Sequence, residues 1–310
     1  MSKMSNNQMM NQVFVQNASS TPDLVVLTSD SRGSAKLKEF GEKFPKQMVE
    51  VGIAEQNIVG MAAGLAHSGK RAFAVSPAPF LSMRSIEQIK VDVAYSRTNV
   101  KLVGISGGVS YAQLGMSHHS LQDFAVTRAI PNLQVLCPAD KHETEVMFKE
   151  LLKTNQPAYI RLGRNAVEDV YDSSDYEFEI GKAVQLKEGK NVLLIGIGET
   201  VRQVLDAAIL LEEKGVSAAV LNVHSLKPFD SETVKELANK IGNIITVEEH
   251  SIHGGLGAAV AEALSEETNI KHRIIGFPDE DLVTGSAKEL FKHYGLDGES
   301  IAKEVEKFLG

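Results

Sequence analysis

Apolar residues at 54, 58, 62 and 65 fall on one face of a 3.6-residue period, directly after a β-rich stretch at 48–51 and the turn residue Gly52. That strand–turn–helix unit sets the rhythm of the chain. Short apolar runs at 23–28, 71–76, 100–105, 133–136 and 158–161 predict further strands, with helices between them at 6–18, 80–95, 121–128 and 141–153. Pro77-Ala78-Pro79 should break the chain ahead of the helix at 80–95. Residues 165–177 are acidic and weakly patterned, which marks a linker. Beyond them, strands at 192–197, 218–222, 244–248 and 272–276 alternate with helices at 199–214, 231–240, 256–264, 286–293 and 299–309. Such alternation implies the α/β class, with mainly parallel sheets covered by helices on both faces. The length of 310 residues suits two domains, each able to bury its own core.

Composition narrows function by exclusion. A net charge of −8 argues against a general nucleic-acid surface. Cys137 is the only cysteine, which rules out an internal disulfide and a cysteine-based metal cluster; its place before Pro138 at a strand end suits a buried, inert thiol. The first dozen residues lack the apolar core of a signal peptide, and no run reaches membrane-spanning length. A cytoplasmic location, with no membrane or nucleic-acid partner, is the expectation.

Several positions could carry chemistry. Glu55 stands in the first turn of a helix with little around it that is polar. It either complements the helix dipole or is a carboxyl group held dry with a raised pKa, able to share a proton with a ring nitrogen. The polar loop at 29–34 follows a strand, where α/β proteins place ligand groups. The stretch 106–120 is a long loop with a glycine or histidine every few residues, as functional loops often are. His118 and His119 are adjacent, so their side chains point apart and a shared metal is disfavoured. Arg161 and Arg164 flank a strand end, either as a phosphate-binding pair or as a solvated one. Gly196-Ile197-Gly198 opens a helix but lacks the third glycine of a dinucleotide fingerprint, so a tight turn explains it. Gly254-Gly255-Leu256-Gly257 reads as close packing at a helix start, with His250 and His253 as interface or surface residues. Phe80 by itself reads as core.

Taken together and in order, a set of strings resembles the transketolases. They are Gly-Ile-Ala-Glu-Gln-Asn around Glu55, Arg-Ser-Ile-Glu-Gln-Ile from Arg84, residues 104–108, Gly-Met-Ser-His-His-Ser-Leu-Gln-Asp from Gly115, Cys-Pro-Ala-Asp from Cys137, Arg-Leu-Gly-Arg from Arg161, and Val-Glu-Glu-His-Ser-Ile-His-Gly-Gly-Leu-Gly from Val247. The chain is similar to the C-terminal half of a transketolase, of the type some prokaryotes encode as a separate subunit. The resemblance implies a pyrimidine-binding domain at 8–168, a transketolase C-terminal domain at 178–310, and transfer of a two-carbon ketol unit between sugar phosphates. It further implies that Glu55 is the catalytic glutamate on N1′ of thiamine diphosphate and that Phe80 stacks on the cofactor's aminopyrimidine. His118 would act on the donor sugar's oxygens, and Ser34 and Arg164 would hold the substrate phosphate.

No Gly-Asp-Gly string, the start of the family's diphosphate and Mg²⁺ site, occurs in the chain. The resemblance therefore implies an N-terminal partner subunit that holds the diphosphate and Mg²⁺, in a homodimer or heterotetramer. Several positions depart from the family pattern. Asn7 stands where a phosphate-binding arginine is common, Ser106 on a histidine, Leu114 on an aspartate that reads the acceptor's 2-hydroxyl, and Pro77 on a phenylalanine. These departures point to sugars other than the standard pentose phosphates. The rival readings are a β-type subunit of a 2-oxoacid dehydrogenase, part of a deoxyxylulose-phosphate synthase, and a non-catalytic regulatory subunit.

Overall fold

A computed structural model describes residues 4–310. In chain order its strands are β1 (Leu24–Thr28), β2 (Met48–Glu50), β3 (Arg71–Pro77), β4 (Val100–Ile105), β5 (Gln134–Leu136) and β6 (Ala158–Arg161). There follow β7 (Val184–Lys187), β8 (Val192–Gly196), β9 (Ala218–Asn222), β10 (Ser225–Lys227), β11 (Asn243–Ser251) and β12 (Lys271–Phe277). They build two sheets, a seven-stranded one of order β10-β5-β6-β4-β3-β1-β2 and a five-stranded one of order β12-β11-β8-β9-β7. Every pairing is parallel except β10 on β5 and β7 on β9. The central strands are mainly apolar because helices bury both faces; β1, β4, β8 and β9 are buried at every residue, Thr28, Lys101 and Asn222 included.

One face of the first sheet packs on the helix Asn6–Asn17, whose Phe14 meets Phe73 and Phe148 edge-on at 4.9 and 5.7 Å between ring centroids. The other face shares a core with the second sheet, where Leu27, Ile58, Phe124, Ile195, Val223 and Leu256 belong to one buried apolar cluster. The two halves are also joined by backbone. β10 lies beyond the residue 165–177 linker, yet it pairs with β5, and Cys137 N donates to His224 O at 2.9 Å.

Local details differ from the expectation. The change from strand to helix does fall at Pro77-Ala78-Pro79, but the helix already spans Ala78–Arg84 rather than starting at residue 80, because Pro79 fits its first turn. That helix stops at Ser85, and a wider π-turn carries Ile89–Tyr95. The strands β7 and β10 and the short helix Lys38–Lys43 were not foreseen, since each is too short for a periodic signal. The acidic stretch 165–177 forms no helix or strand, and it packs against the first half. Tyr171 stacks on Tyr176 at 4.4 Å and donates its hydroxyl to buried Glu143.

Because β1, β3, β4 and β6 run parallel, the loops that follow them emerge at one edge of the sheet. The Ser29 and Ser76 hydroxyls, 2.6 Å apart, tie two of these strand ends together. Ligand groups in open α/β sheets collect at this edge.

Candidate functional site

Glu50, the last residue of β2, organises the approach to Glu55. Its carboxylate accepts from Thr28 Oγ1 at 2.7 Å, Asp30 N at 2.7 Å and Gly52 N at 3.2 Å, which folds the loop after β1 against the turn before the helix. Glu55 is then the first residue of the helix Glu55–His67 and is only 5% exposed. Its surroundings are less apolar than the sequence suggested. Arg84 Nη1 lies 3.0 Å from Glu55 Oε2, and Ser85 Oγ donates to the Glu55 carbonyl at 2.7 Å.

From Glu55 a continuous row of side chains crosses the edge of the sheet. The Arg84 guanidinium sits 4.3 Å from the centre of the Phe80 ring. Phe80 meets the His118 ring edge-on at 5.2 Å, and His118 meets Tyr111 at 5.5 Å. Arg164 lies over the far side of the row, 5.2 Å from the Tyr111 ring centre, with its side chain exposed. Ser117 Oγ is 2.9 Å from His118 Nδ1, which leaves Nε2 as the nitrogen to face a ligand. The row thus joins a buried carboxylate, an aromatic face, an imidazole and an exposed guanidinium. Four of the five site residues inferred from sequence (Glu55, Phe80, His118 and Arg164) lie along it. Ser34 does not; it is half-buried in the turn after β1. Arg84 and Tyr111 were not singled out. Arg84 had a signal in the Arg-Ser-Ile-Glu-Gln-Ile string, and Tyr111 had none.

The loop 106–120 is closed at its base, where Gly108 and Ser120 exchange backbone hydrogen bonds of 3.2 and 2.8 Å. His118 and His119 point apart as expected. His119 is buried with Nε2 at 2.9 Å from Ala112 O, and burial lowers its pKa. Leu114 is 55% exposed at the loop tip, whereas Asn7 and Ser106 are fully buried. The side-chain polar atoms of these two residues have no partner among the described residues.

Arg161 is neither a phosphate ligand at the surface nor a solvated side chain. It is buried between the halves of the molecule, with Nη1 3.5 Å from Asp123 Oδ1 and Nη2 2.6 Å from the Glu249 carbonyl and 3.3 Å from its Oε2. Tyr159 donates to Asp123 Oδ2 at 2.7 Å, and Val109 N donates to Glu249 Oε1 at 2.8 Å. Gly108, at φ +61°, lets the loop pass this cluster; a Cβ there would lie 2.1 Å from Glu249 Cδ. Burial opposes the charge on Arg161, but Asp123 and Glu249 outweigh it and raise its pKa. Glu199 is pushed up to about 8 by burial, with Glu249 adding and Arg161 opposing. Glu248 Oε2 and Oε1 accept from Leu256 N at 2.7 Å and Gly257 N at 2.8 Å, so the glycine-rich helix start is a packing device. His250 stacks on Phe124 in the same interface, and burial pushes it down to about 4. Cys137 is buried and its thiol pKa raised, as an inert thiol requires.

Among the described residues no helix is long and apolar enough to cross a membrane, and no group of three or more histidine, cysteine or carboxylate side chains could hold a metal ion.

Comparison with known proteins identifies the family. An apulose-4-phosphate transketolase subunit of Phocaeicola vulgatus is 50% identical over 93% of this chain and 92% of its own length. The 6-deoxy-6-sulfo-D-fructose transketolase subunit SqwH of a Clostridium species is 37% identical over 92% of this chain and 88% of its own length. Among solved structures, a split-gene transketolase described as an inactive beta4 tetramer superposes with a TM-score of 0.90 at 37% identity, covering 99% of this chain and 98% of that one. The family models for the transketolase pyrimidine-binding domain and the transketolase C-terminal domain match residues 2–169 and 181–301. With both models matched in order and split subunits related over nearly their full length, the chain belongs to the transketolase family.

Proposed function

We propose that this chain is the C-terminal subunit of a split, thiamine-diphosphate-dependent transketolase that moves a two-carbon ketol unit between sugar phosphates other than the standard pentose pair. The observation that carries the reading is the row from buried Glu55 to exposed Arg164, with Phe80 and His118 between them. The residues fit the cofactor. A flat, cationic N–H donor, the Arg84 guanidinium, already lies against both the Glu55 carboxylate and the Phe80 ring, as an aminopyrimidine would. Thiamine diphosphate, when bound, supplies the electron sink for breaking and making the carbon–carbon bond.

The chain's own groups do the rest. Glu55 holds a proton at N1′ of the pyrimidine, and Phe80 offers its ring face. His118 moves a proton to or from the ketose oxygen. Arg164 takes the phosphate or sulfonate by paired N–H donors, with Ser34 as a second contact. Leu114 presents an apolar side chain where a hydroxyl-reading aspartate is expected, which disfavours 2-hydroxyaldehyde acceptors. The names of the two relatives, one acting on apulose 4-phosphate and one on a sulfonated deoxy sugar, agree with such a substrate class. The same reading divides the chain into working units at 8–168 and 178–310 and assigns the diphosphate and Mg²⁺ to an N-terminal partner subunit.

A subunit contact is also supported by the helix Glu55–His67. Gly60 and Gly64 are exposed, and an added Cβ would meet nothing closer than 3.9 Å at Gly60 and nothing within 4 Å at Gly64. Glycine in a helix interior costs about 1 kcal/mol relative to alanine. Among the described residues nothing packs closely enough on Gly60 or Gly64 to repay that cost, whereas a neighbouring subunit packed closely on the helix would. Ile53 (75% exposed) and Tyr95 (81%) are further large apolar side chains left at the surface of this half.

The test is reconstitution with the partner chain that carries Gly-Asp-Gly, followed by kcat/KM for a panel of modified ketose phosphates and sulfonates, the standard pentose pair, and 2-oxoacid decarboxylation. Ketol transfer should prevail and the pentose pair should be used poorly. Glu55→Gln should lower kcat by at least ~100-fold without blocking assembly. Near-normal turnover in that variant would reduce Glu55 to a helix-dipole residue, and efficient 2-oxoacid decarboxylation would favour the rival enzyme classes.

A further inference from the structure

We propose that Arg84 holds the cofactor's seat in the cofactor-free subunit, and that its guanidinium must leave before the pyrimidine can enter. The inference rests on the reading of Glu55 and Phe80 given above. One planar group makes both contacts assigned there to the aminopyrimidine, a hydrogen bond to Glu55 Oε2 at 3.0 Å and a face contact 4.3 Å from the Phe80 ring centre. Two planar groups cannot lie on the same ring face beside that carboxylate, so arginine and cofactor compete.

The geometry also explains how such an exchange stays easy. Glu55 is 5% exposed, and a buried carboxylate with no partner would be costly, so the Arg84 cation stands against it. The Arg84 side chain is 52% exposed and reaches in from the surface. It therefore forfeits only a half-solvated ion pair and a cation–π contact when it withdraws. The backbone need not follow, because the Ser85 hydroxyl fixes the segment to the Glu55 carbonyl at 2.7 Å, and the Ser82 hydroxyl holds its own helix through Ala78 O at 2.7 Å. One side chain moves while the frame stays. Arg84 is in this sense a positioning residue; it keeps Glu55 partnered and aimed until the ligand arrives.

Two measurements decide it. The first is the Kd of thiamine diphosphate for the reconstituted enzyme, by calorimetry, for the native chain, Arg84→Ala, Arg84→Lys, Glu55→Gln and Phe80→Ala. Removing the competitor should tighten binding about tenfold in Arg84→Ala, with Arg84→Lys between that variant and the native chain. The second is a double-mutant cycle of Arg84→Ala and Glu55→Gln in thermal unfolding. Coupling should be present in the cofactor-free chain and lost in the loaded assembly. Weaker cofactor binding in Arg84→Ala, or coupling that survives loading, overturns the proposal. If Arg84→Ala does not fold, Arg84→Met keeps the apolar stem and gives the same test. If Glu55→Gln and Phe80→Ala also bind cofactor like the native chain, the site reading itself fails. If those two weaken binding while Arg84→Ala does not tighten it, only the exchange is wrong.

Discussion

Arg161 and Arg164 are three residues apart on the same strand end, yet the fold gives them opposite surroundings. Arg161 points inward, 3% exposed, with carboxylates from both halves of the molecule on its guanidinium. Arg164 points outward over Tyr111, with its guanidinium exposed to a ligand. The first cluster spends its charges on itself and fastens the second sheet to the first. The second leaves charge open at the edge of the sheet. Two kinds of polar group are therefore told apart by where their hydrogen bonds end, not by residue type. A buried ion pair gains little over an apolar isostere, but breaking one strands the remaining charge. An exposed guanidinium stabilises little and can be devoted to binding.

The contrast can be broken most severely at Arg161. Arg161→Ala leaves Asp123 and Glu249 buried without their cation, so denaturant unfolding of the free chain should lose about 3–5 kcal/mol. A loss below ~1 kcal/mol would mean that the halves do not depend on this cluster. The matching substitution outside, Arg164→Ala, should leave stability within ~0.5 kcal/mol and raise KM for phosphorylated or sulfonated substrates about tenfold or more. If the melting temperature fell while KM held, the roles of the two arginines would be reversed.

The smallest effect concerns Glu199, whose pKa is pushed from 4.5 up to about 8 by burial, next to Glu249 and Arg161. Its Oε1 is shut off from solvent without a partner among the described residues. Because the folded state binds this proton more tightly than the unfolded state, stability is fully present below pH 4.5 and is lost as pH rises through about 8. Glu199→Gln should flatten the fall of melting temperature across that window. Glu249, also raised by burial, adds to the same slope, while His250, pushed down to about 4, acts in the opposite sense as pH falls below 6.5. An unchanged slope in Glu199→Gln would assign the window to Glu249 and Glu248 instead.

Much of the architecture was legible along the chain. The strand–helix alternation implied mainly parallel sheets because strands buried on both faces read as nearly continuous apolar runs, as β8 does throughout and β1 and β9 do up to their last residue. The Glu55 helix was visible from its 3.6-residue period, and the family from strings spread over nearly the whole length. Local signals failed where an element exists only through its neighbours. β10 has three residues and is a strand because β5 offers it an edge, and Pro79 sits inside a helix because the first turn needs no N–H from it.

What the sequence determined by itself was therefore the class of fold, the family and the residue types available for chemistry, since periodicity and motif spacing are local properties of the chain. Tertiary structure alone decided which of those residues meet. It turned Arg161 inward and Arg164 outward, buried Asn7 and Ser106, and brought Glu55, Arg84, Phe80, His118, Tyr111 and Arg164 into one row from separate segments of the chain. The physical reason is that a side chain's charge state, partners and exposure depend on groups far away along the chain, as Arg161 and Glu249 are at a separation of 88.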